Sequence, residues 1–177
     1  VVDDAFYKSL GLSRTSYLPL DKFNLEQIVP TEIDDYYRNQ LLRGHVHDMG
    51  AAMQNGVGGH AGLFANANDV AKIMQMYLQK GKYGGVEYLK PETFDKFNKR
   101  YYAAVQNRRG LGFDKRQINP NPYTTCGDCI SDDSFGHSGF TGTYTWADPE
   151  SEIVYVFLSN RTYPKMDNRK LIRSNIR

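Results

Sequence analysis

The segment of this 177-residue sequence best suited to chemistry is the glycine-rich run FGHSGFTGT, residues 135–143. Its aromatic and β-branched residues indicate a strand, but glycines weaken a strand unless a ligand or another backbone approaches closely. A strand with bare N–H groups can present them to a carbonyl group, with His137 and Ser138 beside the bound molecule. The run therefore predicts a binding edge for a carbonyl compound. Relief of crowding in a twisted sheet is the alternative reason for its glycines.

The same run also invites interpretation as a nucleophile elbow around Ser138. That motif, G-x-S-x-G, requires a turn from an apolar strand into a helix. Here Phe140 takes the place of the second glycine, the preceding residues 131–134 are SDDS, and a strand follows. Ser138 is therefore not predicted to be a nucleophile.

Three histidines form a second group with possible chemistry, because His45 and His47 flank one residue, Asp48 follows directly, and His60 lies nearby in sequence. Histidines at i and i+2 point to the same side of an extended chain, which favours shared binding of a metal ion. A metal-dependent hydrolase is therefore kept as an alternative function. The competing interpretation is a capped loop held by His–Asp hydrogen bonds, and the predicted site contains no metal and no cofactor.

Two cysteines, Cys126 and Cys129, have C-x-x-C spacing within a loop-like segment. A zinc site needs two further ligands at similar spacing, and a redox motif belongs at the start of a helix. We therefore expect loop thiols or a local disulfide.

Composition narrows the classes of function. The 22 basic and 20 acidic residues nearly cancel and form no long run, so nucleic-acid binding is not predicted. The longest apolar run, residues 153–158, is far shorter than the ~18 residues that cross a bilayer. The length suits one domain.

Several elements must position these residues. Asn66 can cap a helix over 67–80, with Asp69 completing a capping box, apolar residues at helical spacing, and Gly81 at its end. A second helix begins at Pro91 and is predicted to bury Phe94 and Phe97. Residues 1–12 resemble a helix end, 13–60 a loop-rich region, and 168–177 a short helix.

Strands are predicted after residue 110. A short one covers 110–113, the run 135–146 follows, and IVYVFL at 153–158 has the pattern of a strand covered on both faces. A turn at 148–151 joins the last two. The fold class is α+β: three antiparallel C-terminal strands with helices on the sheet face.

These segments together resemble the class C β-lactamase-like and penicillin-binding-protein-like serine hydrolases. FGHSGFTGTYTWADP (135–149) resembles the family's third motif, a strand with Lys-Thr-Gly or His-Thr-Gly, and GGHAGLFANANDVA (58–71) resembles its Gly-Gly-Leu-x-Ser-Thr-x-x-Asp-Leu-Ala segment. HVHD (45–48) is similar to an element of a subfamily sometimes fused to glycoside hydrolase family 3 domains. FYKSLGLSRT (6–15) resembles the phrase after the second motif.

The resemblance implies roles for individual residues. His137 takes the position of the motif's Lys or His, Ser138 keeps a hydroxyl for the substrate, and Gly139 keeps the strand open. The N–H of Phe140 would be the second donor of an oxyanion hole, which binds the charge that develops on the attacked carbonyl. Thr141 and His60 are placed among the substrate-binding residues, with a structural role as the alternative for His60.

The first two family motifs are missing from the sequence. The nucleophile belongs to Ser-x-x-Lys, yet no lysine here has a serine three residues before it, and only Thr93–Lys96 and Thr162–Lys165 come near. Tyr37-Arg38-Asn39 matches the second motif in letters but stands out of family order. Residues 1–177 are therefore expected to be the C-terminal portion of one bacterial hydrolase domain, inactive alone.

Further expectations follow from that resemblance. The substrate would be a β-lactam, an ester or a D-amino-acid peptide of peptidoglycan type, and the location periplasmic or extracellular. A partner would be the missing N-terminal half of the domain, and an unpaired sheet edge would favour self-association. A non-catalytic cell-wall or carbohydrate binding module on the same fold is the alternative.

Overall fold

The computed structural model describes residues 2–119 and 130–173. Its chain divides into two compact units, which are described separately. Among these residues, unit 1 consists of 2–69, 140–143 and 158–173, and unit 2 of 70–119, 130–139 and 144–157. The α-helices are α1 (Met49–Met53), α2 (Ala67–Leu78), α3 (Pro91–Asn98) and α4 (Lys170–Arg173). The strands are β1 (Pro30–Asp34), β2 (Gln40–Arg43), β3 (Lys82–Tyr83), β4 (Val86–Glu87), β5 (Asp114–Lys115), β6 (Phe135–Ser138), β7 (Tyr144–Asp148) and β8 (Ile153–Phe157).

Unit 2 is built on a four-stranded antiparallel sheet in the order β5-β6-β7-β8. Its core joins Met74 of α2 and Phe94 of α3 to Phe135 and Ala147 of the sheet. Helices packed on one antiparallel sheet are the α+β arrangement. The predicted fold class is therefore confirmed.

Helix α2 follows its sequence pattern. The Asn66 side chain accepts a hydrogen bond from the Asp69 N–H at 2.9 Å, and Gly81, at φ +95°, ends the following turn. The predicted role of Asp69 is wrong, because its buried carboxylate does not close a capping box. It accepts hydrogen bonds from Arg14 N–H at 2.7 Å and Thr15 Oγ1 at 3.0 Å instead.

Helix α3 begins at Pro91 as predicted and buries Phe94. The predicted burial of Phe97 is wrong, since this side chain is 46% exposed. Three residues along a helix rotate a side chain by about 60° from its starting direction. In an eight-residue helix that meets the core at Phe94, this rotation turns Phe97 toward solvent.

The strands differ from the prediction in two boundaries and in the burial of β8. The strand expected at 110–113 forms instead at β5, and the run 135–146 divides into β6 and β7 around a turn at 139–143. β8 is not covered on both faces, because Ile153 is 58% and Tyr155 44% exposed. Within the described residues no strand pairs with the outer edge of β8. The turn expected at 148–151 does join β7 to β8.

Unit 1 contains a hairpin that the sequence pattern concealed. β1 and β2 pair antiparallel within the region expected to be loop-rich. β1 buries Glu32 and Asp34 while Ile33 is 42% exposed, which reverses the usual pattern. The Asp34 carboxylate explains this, because it accepts hydrogen bonds from the N–H groups of Tyr36 and Tyr37 and shapes the turn.

Candidate active site

Strand β6 carries the predicted site residues at its C-terminal end. Gly136 is buried, and a Cβ there would collide with the Thr145 carbonyl and the Trp146 ring on β7. Close approach of a neighbouring backbone and ring is therefore the reason for this glycine. The next residue, His137, is exposed, and Ser138 and Gly139 are half-buried.

Hydrogen bonds define the tautomer of His137. Its Nδ1 lies 2.8 Å from the Ser138 carbonyl oxygen and its Nε2 lies 3.2 Å from a guanidinium nitrogen of Arg109. A carbonyl only accepts and a guanidinium only donates. The geometry therefore fits a neutral imidazole with the proton on Nδ1 and an acceptor lone pair on Nε2.

Arg109 was not found by sequence reasoning. It lies in an irregular segment 28 residues before His137, and no spacing rule links the two. Its side chain is 50% exposed and 3.8 Å from Asp114, whose carboxylate is bound by Arg108 at 2.6 Å and 2.7 Å. Arg109 therefore shares the Asp114 carboxylate with Arg108, whose contacts with it are shorter.

Phe140 and Thr141 belong to unit 1. The Phe140 ring is 60% exposed, and its carbonyl accepts a hydrogen bond from Arg161 Nε at 2.7 Å. The carbonyl of Thr141 accepts the Arg161 N–H at 2.9 Å. The turn that follows β6 is thus fixed by one residue from the segment after β8.

The histidines of the alternative metal site do not converge. His60 Nε2 lies 2.9 Å from Asp48, while His47 Nε2 lies 3.2 Å from Glu32. In the described ranges no three His, Cys, Asp or Glu side chains could hold a metal ion together. The arrangement thus gives no support to a metal centre made by His45, His47 and His60.

The competing interpretation, a capped loop, is confirmed. Asp48 caps α1 by accepting the Ala51 N–H at 2.8 Å and also binds His60. These hydrogen bonds, from Ala51 first and then from His60, lower the pKa of the Asp48 carboxyl. His60 therefore has a structural partner, and its contact with substrate stays a prediction.

Two sequence matches prove to be structural. The Thr162 hydroxyl is buried and donates to the Thr31 carbonyl at 2.8 Å, so it is not a nucleophile beside Lys165. Arg38 of the Tyr37-Arg38-Asn39 match binds Asp34 and the His47 carbonyl. The two cysteines, Cys126 and Cys129, lie outside the described residues.

Comparison with known proteins decides the family. The family model described as Beta-lactamase matches residues 3–175. The chain belongs to the β-lactamase family. The sequence-based resemblance to β-lactamase-like serine hydrolases is therefore confirmed.

Two relatives of this chain carry the same name. Proteins of Salmonella agona and Escherichia coli K12, each named "Putative D-alanyl-D-alanine carboxypeptidase", are 35% identical over 182 and 184 residues. The match covers 96% of this chain but only 41% of each relative. The chain thus spans less than half the length of these relatives.

Solved structures support the same β-lactamase-like fold. A penicillin-binding protein homologue from Caulobacter crescentus gives a TM-score of 0.58 at 19% identity, over 90% of this chain and 45% of that one. A β-lactamase from Mycobacterium bovis gives 0.57 at 17% identity, over 99% and 53%. Within the described residues no helix is long and apolar enough to cross a membrane.

Proposed function

We propose that this chain supplies the third-motif part of a serine hydrolase that cleaves peptides ending in D-alanine through an acyl-enzyme. Membership of the β-lactamase family and the name shared by the 35%-identical relatives support this proposal. Since the sequence contains no Ser-x-x-Lys, the nucleophile belongs to polypeptide beyond these 177 residues. Such a substrate belongs to the cell wall, so the proposed location is periplasmic or extracellular.

One observation carries the proposal: an exposed, neutral His137 beside Ser138, with Arg109 bound to its Nε2. In the lysine form of the third motif this position holds a cation. In this chain the cation is Arg109, which contacts the His137 ring at 3.2 Å rather than occupying the motif position itself. Arg109 and Ser138 thus place a positive charge and a hydroxyl group near the C-terminal end of β6.

A carboxypeptidase substrate ends in a free carboxylate, which guanidinium groups bind through charge-assisted hydrogen bonds. Arg109 is half exposed, and its guanidinium pairs at 3.8 Å with Asp114, a carboxylate that Arg108 binds more closely at 2.6 Å. We assign Arg109 to the substrate carboxylate and the Ser138 hydroxyl to the same end of the peptide. The family resemblance assigns the Phe140 N–H to the attacked carbonyl as an oxyanion donor.

The test uses a polypeptide extended upstream through a Ser-x-x-Lys motif and two matched peptides, one ending in D-alanyl-D-alanine carboxylate and one in its amide. The extended protein should release D-alanine from the first. Arg109→Ala should raise KM for the carboxylate peptide about tenfold, because a hydrogen bond to a charged group is worth about 1.5–3 kcal/mol. The amide peptide should show little change.

Lys96→Ala provides the control, since Lys96 is an exposed cation of α3 in the same unit. Equal losses on both peptides after Arg109→Ala would contradict the assignment of Arg109. Tight peptide binding without D-alanine release would instead support the non-catalytic binding module.

A further inference from the structure

Three consecutive backbone carbonyls after β6 are all held by the segment that follows β8. Arg161 Nε donates to the Phe140 carbonyl at 2.7 Å, and the Arg161 N–H donates to the Thr141 carbonyl at 2.9 Å. Ser159 Oγ donates to the Gly142 carbonyl at 2.6 Å. Every carbonyl of the turn 140–142 therefore has a fixed partner.

Arg161 is itself anchored. Its Nη1 donates to the carbonyls of Met166 at 2.7 Å and Asn168 at 3.2 Å. The guanidinium lies 4.3 Å from the centre of the Phe140 ring, within the range of a cation–π contact. The Arg161 side chain thus contacts both the backbone and the ring of Phe140. Its Nη1 is held at the same time by the carbonyls of Met166 and Asn168.

A second group supports the same ring from unit 1. The His47 ring lies 5.2 Å from the Phe140 ring, and His47 Nε2 is 3.2 Å from the carboxylate of buried Glu32. Glu32 also accepts the Tyr36 hydroxyl at 2.9 Å. The exposed Phe140 ring therefore packs beside the His47 ring, whose Nε2 lies near Glu32 without a hydrogen bond of good geometry.

Close contact between the two segments depends on glycine at position 142. Gly142 has φ +102°, and a Cβ there would lie 2.6 Å from Ser159 Oγ and 3.3 Å from Arg161 Cγ. A side chain would separate the turn from its partners. The glycine of this motif position thus serves the contact with Ser159–Arg161.

The turn keeps its backbone donors available. Within the described residues the N–H groups of Phe140, Thr141 and Gly142 have no hydrogen-bond acceptor, whereas the carbonyls of the same three residues are all bonded. We infer that Arg161 is a positioning residue that fixes the Phe140 N–H as an oxyanion donor by holding the turn 140–142. This inference rests on the proposed function, in which that N–H receives the attacked carbonyl oxygen.

Kinetics of the upstream-extended protein test the inference. Arg161→Ala should lower kcat about 10²-fold with KM little changed, because misplacing a catalytic group by 1 Å costs about that factor. Affinity for a boronic acid, which imitates the tetrahedral intermediate, should fall by the same factor. Arg161→Lys, which keeps the charge and one donor, should recover part of both.

Arg43→Ala is the matched control, because Arg43 also donates to a backbone carbonyl of unit 1, that of Ile28 at 2.6 Å. Arg43→Ala should leave kcat and boronic-acid affinity unchanged, even where it lowers the stability of the protein as much as Arg161→Ala does. An Arg161→Ala protein with unchanged kcat, or with raised KM alone, would overturn the inference.

A measurement on the 177-residue chain separates this inference from the proposed function. Backbone ¹⁵N relaxation should show residues 140–142 becoming mobile in Arg161→Ala and in Arg161→Lys to a smaller degree, but not in Arg43→Ala. An unchanged turn would overturn the positioning role, whatever the activity. If Arg161→Ala loosens the turn of the 177-residue chain but the extended protein forms no acyl-enzyme, only the proposed function would be overturned.

Discussion

Arg109 donates a hydrogen bond to Nε2 of His137 at 3.2 Å and thereby selects one imidazole tautomer. With Nδ1 donating to the Ser138 carbonyl, the ring is neutral and its Nε2 is an acceptor. His137 therefore links the Arg109 guanidinium to the Ser138 carbonyl at the end of β6.

Removal of the Arg109 guanidinium should allow the other neutral tautomer of His137 to form. In Arg109→Ala the Nε2–H form should appear alongside the Nδ1–H form, since only one of the two selecting bonds remains. ¹⁵N chemical shifts of the His137 ring in the 177-residue chain measure the ratio. A pure Nδ1–H spectrum in the variant would contradict the selecting role of Arg109, and Lys96→Ala should match the unsubstituted chain.

The Asp34 carboxylate predicts the acid stability of the chain. Burial by itself would raise the pKa of Asp34, but hydrogen bonds from the Arg38 side chain and from the N–H groups of Tyr37, Tyr36 and Arg38 outweigh it and lower the pKa to about 2. The unfolded value is about 3.9, so the folded pKa is depressed. Its stabilising contribution is present above about pH 4 and is lost as pH falls toward 2.

That contribution should amount to roughly 2–3 kcal/mol, because the folded and unfolded pKa values differ by about 2 and each unit is worth about 1.4 kcal/mol. Urea unfolding at pH 7 and at pH 2.5 checks it, with Asp34→Asn expected to lose stability at pH 7 and to show a weaker pH dependence. Asp35→Asn is the control, because Asp35 is exposed and pairs with Lys165 on the surface. Identical pH dependence in all three proteins would contradict this assignment.

The space around Gly136 makes a prediction about the sheet. Gly136→Ala should destabilise unit 2 by about 1–3 kcal/mol, because the new methyl group collides with the Thr145 carbonyl and the Trp146 ring. Gly59→Ala should change stability by less than about 0.5 kcal/mol, since a Cβ there meets nothing within 4 Å. Similar unfolding midpoints for the two variants would show that β7 does not approach Gly136 closely.

The outer edge of β8 predicts self-association. Ile153 and Tyr155 are exposed on this edge strand, and such an edge presents unpaired backbone groups to another chain. Sedimentation at tens of micromolar should show dimers or larger species, which Ile153→Lys should reduce. Val86→Lys, at a 52% exposed position of β4, should not. A monomer at all concentrations would contradict the prediction.

Sequence reasoning succeeded where local periodicity matches packing. α2, Pro91 at the start of α3, and the third-motif strand follow from such patterns, and the family follows from the motifs. β1 was missed because buried Glu32 and Asp34 invert the usual alternation. Arg109 and Arg161 were missed because each reaches its partner from an irregular segment, 28 and 21 residues away in sequence.

Covalent labelling tests the central claim most directly. Intact-protein mass spectrometry follows incubation with a fluorophosphonate and, separately, with a penicillin. We predict no adduct on the 177-residue chain and one adduct on the upstream-extended protein, at the serine of its Ser-x-x-Lys motif. An adduct at Ser138 of the chain alone, or no adduct on the extended protein, would contradict the claim that this chain completes a serine hydrolase whose nucleophile lies elsewhere.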